Sequence, residues 1–68
     1  MQRYKVTFTA ATEIDVWLDA DNEDHAAALV AANDRATYSR IRSTVSVGTG
    51  SIRIDTATIS IDSIALVD

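Results

Sequence analysis

Tyr4-Lys5-Val6-Thr7-Phe8-Thr9, followed shortly by Ile14-Asp15-Val16-Trp17-Leu18-Asp19, is the stretch that decides the architecture of this chain. In the first run Tyr4, Val6 and Phe8 alternate with polar neighbours, and in the second Ile14, Val16 and Leu18 do the same. A side-chain period of two describes a strand with one buried face. Only a few small residues, among them Ala10-Ala11-Thr12, separate the runs, so an antiparallel hairpin is the shortest way to pair them. The turn holds neither Gly nor Asn, which leaves its geometry open.

The pattern changes after Ala20. Asp21 or Asn22 can accept a hydrogen bond from the first turn of a helix, where Glu23 and Asp24 suit the positive end of its dipole. Ala26, Leu29, Val30 and Asn33 recur at helical spacing among alanines, predicting about three turns that end at or just after Asn33. The narrow apolar stripe suits a helix lying on one face of a sheet.

From Tyr38 onward the chain is again rich in Ile, Val, Thr and Ser. Gly48-Thr49-Gly50 predicts a turn, and with it a hairpin from about Ile41–Val47 to Ser51–Asp55. Ile52 and Ile54 share one parity, Ile59 and Ile61 the other, and Ile64 and Leu66 shift once more. Alternation cannot slip without a bulge or break, so irregularities are expected near Asp55-Thr56-Ala57 and after Asp62-Ser63. The expected fold is α+β in the order ββαββ, over one domain spanning residues 1–68. It has a single antiparallel sheet of four to five strands, the last bulged or divided, with one helix packed on one face.

A domain of 68 residues buries only roughly 60% of its unfolded surface, so its stability is expected to be marginal. Without cysteine, disulfides, zinc–thiolate sites and thiol nucleophiles are all excluded. The uncharged run Ser43–Ile52 is too short and too polar to cross a membrane. Met1-Gln2-Arg3 leads straight into the first alternating segment with no apolar signal region, so a cytoplasmic protein is expected.

Nor does the sequence offer an evident reactive centre. His25 stands alone at the start of the predicted helix, without the partners of a catalytic triad, and reads as a surface residue. The acidic run from Asp19 fails as a calcium loop. Its sixth position is Asp24 where Gly is needed, and its twelfth is Val30 where a bidentate Glu is needed. The two glycines belong to the Gly48–Gly50 turn and form no phosphate-binding motif. The expectation is a protein that is not an enzyme, with no cofactor and no metal.

Charge is more informative. The net charge is −4, yet Glu13, Asp15, Asp19, Asp21, Glu23 and Asp24 form a stretch without a base. Arg35, Arg40, Arg42 and Arg53 lie in a stretch without an acid. Trp17 shares the parity of Glu13, Asp15 and Asp19, opposite to Ile14, Val16 and Leu18, which places it outside the core. Exposed tryptophan is a frequent interface anchor; the plainer reading packs it on long side chains such as Arg42. The expected partner-binding set is therefore Glu13, Asp15, Trp17, Asp19, Asp21, Glu23 and Asp24. An alternative patch of Tyr38, Arg40 and Arg42, expected to share a face, would suit nucleic acid, although the overall acidity argues against it.

The cadence of Tyr4–Thr9 and Ile14–Ala26, with the tail Ile61-Asp62-Ser63-Ile64-Ala65-Leu66-Val67-Asp68, resembles the small β-β-α-β accessory proteins of phages and mobile elements, including the DpnD/PcfM-like group. The shared features are structural positions rather than a catalytic motif, and the chain departs from the short members by its extra Gly48–Gly50 segment. The resemblance implies a phage-encoded contact protein inside a bacterium. In that setting it would act as an anti-CRISPR-like inhibitor, occluding the basic nucleic-acid-binding surface of a nuclease or surveillance complex. The alternatives are a self-associating assembly module, such as a homodimer, and a regulator that contacts nucleic acid.

Overall fold

The computed structural model describes residues 1–43 and 54–67. Strands β1 (Gln2–Ala10) and β2 (Thr12–Ala20) form the central hairpin, and helix α1 (Glu23–Ala31) follows. Strand β3 (Tyr38–Ser43) and strand β4 (Ser60–Val67) complete one antiparallel sheet, in the spatial order β3-β2-β1-β4. Short 3-10 turns at Arg35–Thr37 and Thr56–Thr58 lead into β3 and β4. The fold is thus α+β, with four strands and one helix among the described residues. Of the expected hairpin from Ile41–Val47 to Ser51–Asp55, the Gly48–Gly50 turn lies outside them, Ile41–Ser43 belong to β3, and Ile54 and Asp55 are not in a strand.

The register explains why the two alternating runs cooperate. Tyr4 pairs with Leu18, Val6 with Val16 and Phe8 with Ile14, so every apolar member projects from the same face. These six residues are buried together with Ala10, Ala20, Ala26 and Val30. The helix lies over this face against β1, β2 and β4, with Ala26 and Val30 four residues apart pointing into the core and Leu29 half-buried beside them. The alanines at the contact let helix and sheet approach closely. At the hairpin turn Ala11 takes a φ of 69°, so the tight connection is made without the glycine that usually occupies such a position.

Both helix ends are closed by asparagine. Asn22 is the N-cap, its side-chain oxygen accepting from the His25 backbone N–H at 2.8 Å. At the other end Asn33 adopts a left-handed φ of 50°. There the Asn33 N–H donates to the Val30 carbonyl and the Asp34 N–H to the Leu29 carbonyl. This pair of bonds satisfies carbonyls that a helix end otherwise leaves open. Asn22→Ala is expected to lower stability by about 1 kcal/mol. The urea midpoint measures it, and an unchanged midpoint would show the cap to be idle.

The irregularities fall where the parity slips. The break at Asp55–Ala57 is the 3-10 turn, begun by the Asp55 carboxylate accepting from the Ala57 N–H. Within β4, Thr7 faces Ser63 while Phe8 faces Ile61, leaving Asp62 as the bulged residue. A second bulge was not expected. Trp17 faces Arg40, but Leu18 faces Tyr38, so Ser39 is the extra residue of β3. Its hydroxyl donates to the Trp17 carbonyl at 3.0 Å.

Candidate contact surface on the open sheet face

The face opposite α1 carries the other parity: Arg3, Lys5, Thr7 and Thr9 from β1, with Glu13, Asp15, Trp17 and Asp19 from β2. Arg40 and Arg42 join them from β3, opposite Trp17 and Asp15. Among the described residues no helix or strand covers this face. Trp17 stands near its middle, partly exposed, as its parity predicts.

Its surroundings were only partly foreseen. The Arg40 guanidinium lies 4.8 Å from the indole centroid, and the Lys5 ammonium and Arg42 guanidinium lie 5.6 Å from it. Arg40 and Lys5 are the direct cross-strand neighbours on either side of Trp17. Each such contact contributes about 0.5–1 kcal/mol at an exposed site. Together they frame the ring while leaving part of it accessible. The packing on Arg42 allowed by the sequence is therefore present, and the ring still belongs to the open face.

The acidic set does not act as one patch. Asp15 has the open-face parity but is only 6% exposed. Its carboxylate accepts from the Arg42 guanidinium at 2.6 Å and from the Thr7 hydroxyl at 2.7 Å. Burial alone pushes its pKa up. The hydrogen bonds from Arg42 and Thr7, with the positive charges of Lys5 and Arg42, outweigh that and hold the carboxyl below the ordinary aspartate value. Asp15 is thus a fixed brace between β1, β2 and β3. Asp19 pairs with Arg3 at 3.1 Å, but both side chains are about half exposed, and such a pair contributes little. Glu13 is exposed at the opposite end of β2.

Asp21, Glu23 and Asp24 sit at the start of α1, all exposed. His25 belongs to the same capping arrangement, its Nδ1 accepting from the Asp21 backbone N–H at 3.1 Å. These acids therefore form a lip beside the Asp19 end of the sheet, while Trp17 and Asp15 lie inward from it.

The expected grouping of Tyr38 with Arg40 and Arg42 is corrected. The bulge at Ser39 turns Tyr38 to the helix side, where it packs against the core and its hydroxyl lies 3.4 Å from the Asn33 side-chain oxygen. Burial pushes its phenol pKa up. The arginines instead surround Trp17. The sequence did hold a signal for this, since Tyr38 and Ile41 are apolar at opposite parity, the same kind of slip that marks the breaks in β4.

The ionised Asp15 should make stability acid-sensitive. Its folded pKa is depressed, so its contribution is complete above the unfolded value of roughly 3.9 and is lost as pH falls through the folded value. Urea midpoints measured downward from about pH 5 should therefore fall more steeply for the parent chain than for Asp15→Asn. Parallel curves would show that Asp15 is not held as described.

Among the described residues, no group of three or more His, Cys, Asp or Glu is arranged to hold a metal ion. No helix there is long and apolar enough to cross a membrane. An open groove beside the hairpin turn is lined by Ala10, Ala11, Thr12, Ile54, Asp55 and Thr56, and its one carboxylate is engaged with the Ala57 N–H. Comparison with protein-family models, with curated proteins and with solved structures finds no match for this chain.

Proposed function

We propose that the chain is a non-enzymatic binding protein that docks onto a protein partner through its open sheet face, with Trp17 as the anchor. The observation that carries this reading is the placement of the single tryptophan. It stands on the face away from the helix, partly exposed and framed by Arg40, Lys5 and Arg42. A large aromatic ring framed before contact loses little conformational freedom on binding, which is how interface anchors gain their effect. The exposed acids Glu13, Asp19, Asp21, Glu23 and Asp24 serve as the polar margin. Asp15 leaves the contact set, because its carboxylate is already engaged.

The partner that suits the exposed acidic lip is a basic, nucleic-acid-binding surface, here of a bacterial nuclease or surveillance complex, with the lip meeting its positive charge and the cation-flanked Trp17 ring seated on an uncharged part beside it. This reading rests on the net charge of −4, the exposed acidic lip and the resemblance to phage accessory proteins. Affinity capture with the tagged chain from bacterial lysates containing such a complex tests it. A stoichiometric partner, released by salt and displaced by the nucleic acid it normally binds, is the expected result. A partner whose binding ignores both would contradict occlusion of a basic surface.

A second reading has one observation in its favour. Among the described residues, Lys5 and Arg40 have no acid at ion-pair distance, so positive charge flanks the ring on both sides. Stacking between a base and Trp17 with these cations alongside is a workable nucleic-acid contact. Its absence in a mobility-shift assay at low salt, where such binding is strongest, would remove it.

A further inference from the structure

The two outer strands of the sheet are protected unequally. Strand β3 carries Arg40 and Arg42, and charges along an edge discourage pairing with another chain. Strand β4 reads Ser60-Ile61-Asp62-Ser63-Ile64-Ala65-Leu66-Val67, with neither Lys, Arg nor Pro. Its one charge, Asp62, is set off in the bulge and accepts from the Thr9 hydroxyl at 2.9 Å, on the side of β1. Among the described residues β4 pairs with β1 alone, so its outer backbone groups face no strand. Leu66 is 53% exposed although it shares the helix-covered face with Tyr4, its partner in β1. Ile61 and Ile64 beside it are only half-buried. Among the described residues, an apolar strip thus borders a strand edge that no other strand pairs.

The geometry points to a second copy of this chain as the occupant, joined by antiparallel pairing of β4 with β4 about a two-fold axis at Ala65. Past the bulge, Ser63–Val67 is a regular, uncharged stretch whose pattern is complementary to itself. Pairing centred on Ala65 sets Ile64 opposite Leu66 of the partner and Leu66 opposite its Ile64, on the helix side. Ser63 and Val67 then face each other on the open side. Directly opposed apolar side chains are the stabilising unit of a sheet, and no charge stands against a like charge within this stretch. The resulting interface is isologous and joins two four-stranded sheets into one. It uses an edge rather than the Trp17 face, so it stands or falls independently of the proposed docking function.

Sedimentation equilibrium of the full chain tests the pairing. The expected mass is that of two chains, with association strengthened by salt because each chain carries −4. Docking of the acidic lip on a basic partner has the opposite salt dependence. Ala65→Asp is the informative variant, since Ala65 is exposed and faces Lys5 within its own chain, which accommodates the new carboxylate. Across the two-fold axis the two added carboxylates oppose each other, raising the dissociation constant by roughly tenfold or more. Circular dichroism checks that the variant folds, and Leu66→Ser provides a second disruption without added charge. A single-chain mass at high concentration and high salt would overturn the inference. So would a dimer that Ala65→Asp and Leu66→Ser both leave intact.

Discussion

Asp15→Lys is expected to destabilise the fold by about 3 kcal/mol, whereas Asp19→Lys, four residues along the same strand and on the same face, should cost less than about 1 kcal/mol. From their alternation the two aspartates look equivalent, and the register separates them. Asp19 meets Arg3 where both side chains are about half in water, so reversing its charge exchanges one weak pair for a weak repulsion. Asp15 is 6% exposed, bonded to Arg42 and Thr7, and close enough to Lys5 for that charge to lower its pKa. A lysine there leaves Thr7 and Arg42 without their acceptor and adds a poorly hydrated cation beside two others. Arg42 itself is about half exposed, which keeps the loss below that of a fully buried pair. A domain of this length has a total stability of about 3–10 kcal/mol, so the variant should be about half unfolded if the parent lies near the lower end. Urea denaturation of both variants checks the contrast. Equal midpoints would mean that Asp15 is a surface residue after all.

The largest functional effect is expected from Trp17→Ala. Truncating an interface anchor typically costs 2 kcal/mol or more, and here the parent's affinity for its protein partner should fall by about thirtyfold or more. The stability loss should be smaller, because Trp17 lies outside the helix-covered core and its contacts with the cations beside it are individually weak. Affinity by calorimetry and stability by urea denaturation, taken on the same preparation, separate the two effects. Loss of stability with affinity retained would assign the ring to the fold rather than to docking.

The parts of the fold that were legible in the sequence depend on neighbours close along the chain. Alternation in Tyr4–Phe8 and Ile14–Leu18 reports their common face, and the Asn22 signal marks the helix start because capping is a local interaction, whereas the helix ends at Ala31, two residues short of the Asn33 expected to lie within it. The slips around Asp55 and Asp62 were legible for the same reason. Tyr38 was misassigned because one extra residue, Ser39, is accommodated by a hydroxyl bond to the Trp17 carbonyl, across 22 positions of sequence. Of the contact surface, the position of Trp17 on the open face was legible from parity alone. The bracing of Asp15 was not, because the side chains that bind it arrive from two other strands. Nor was the cationic ring around Trp17, since it depends on β3 lying beside β2 and β1 on its other side.

That Trp17 is the contact anchor is tested most directly by its own fluorescence, since no other tryptophan is present. As the captured partner is titrated in, the emission should shift to shorter wavelength and iodide should no longer quench it, both saturating at the binding stoichiometry. Stoichiometric binding that leaves emission and quenching unchanged would show that the partner docks elsewhere on the molecule.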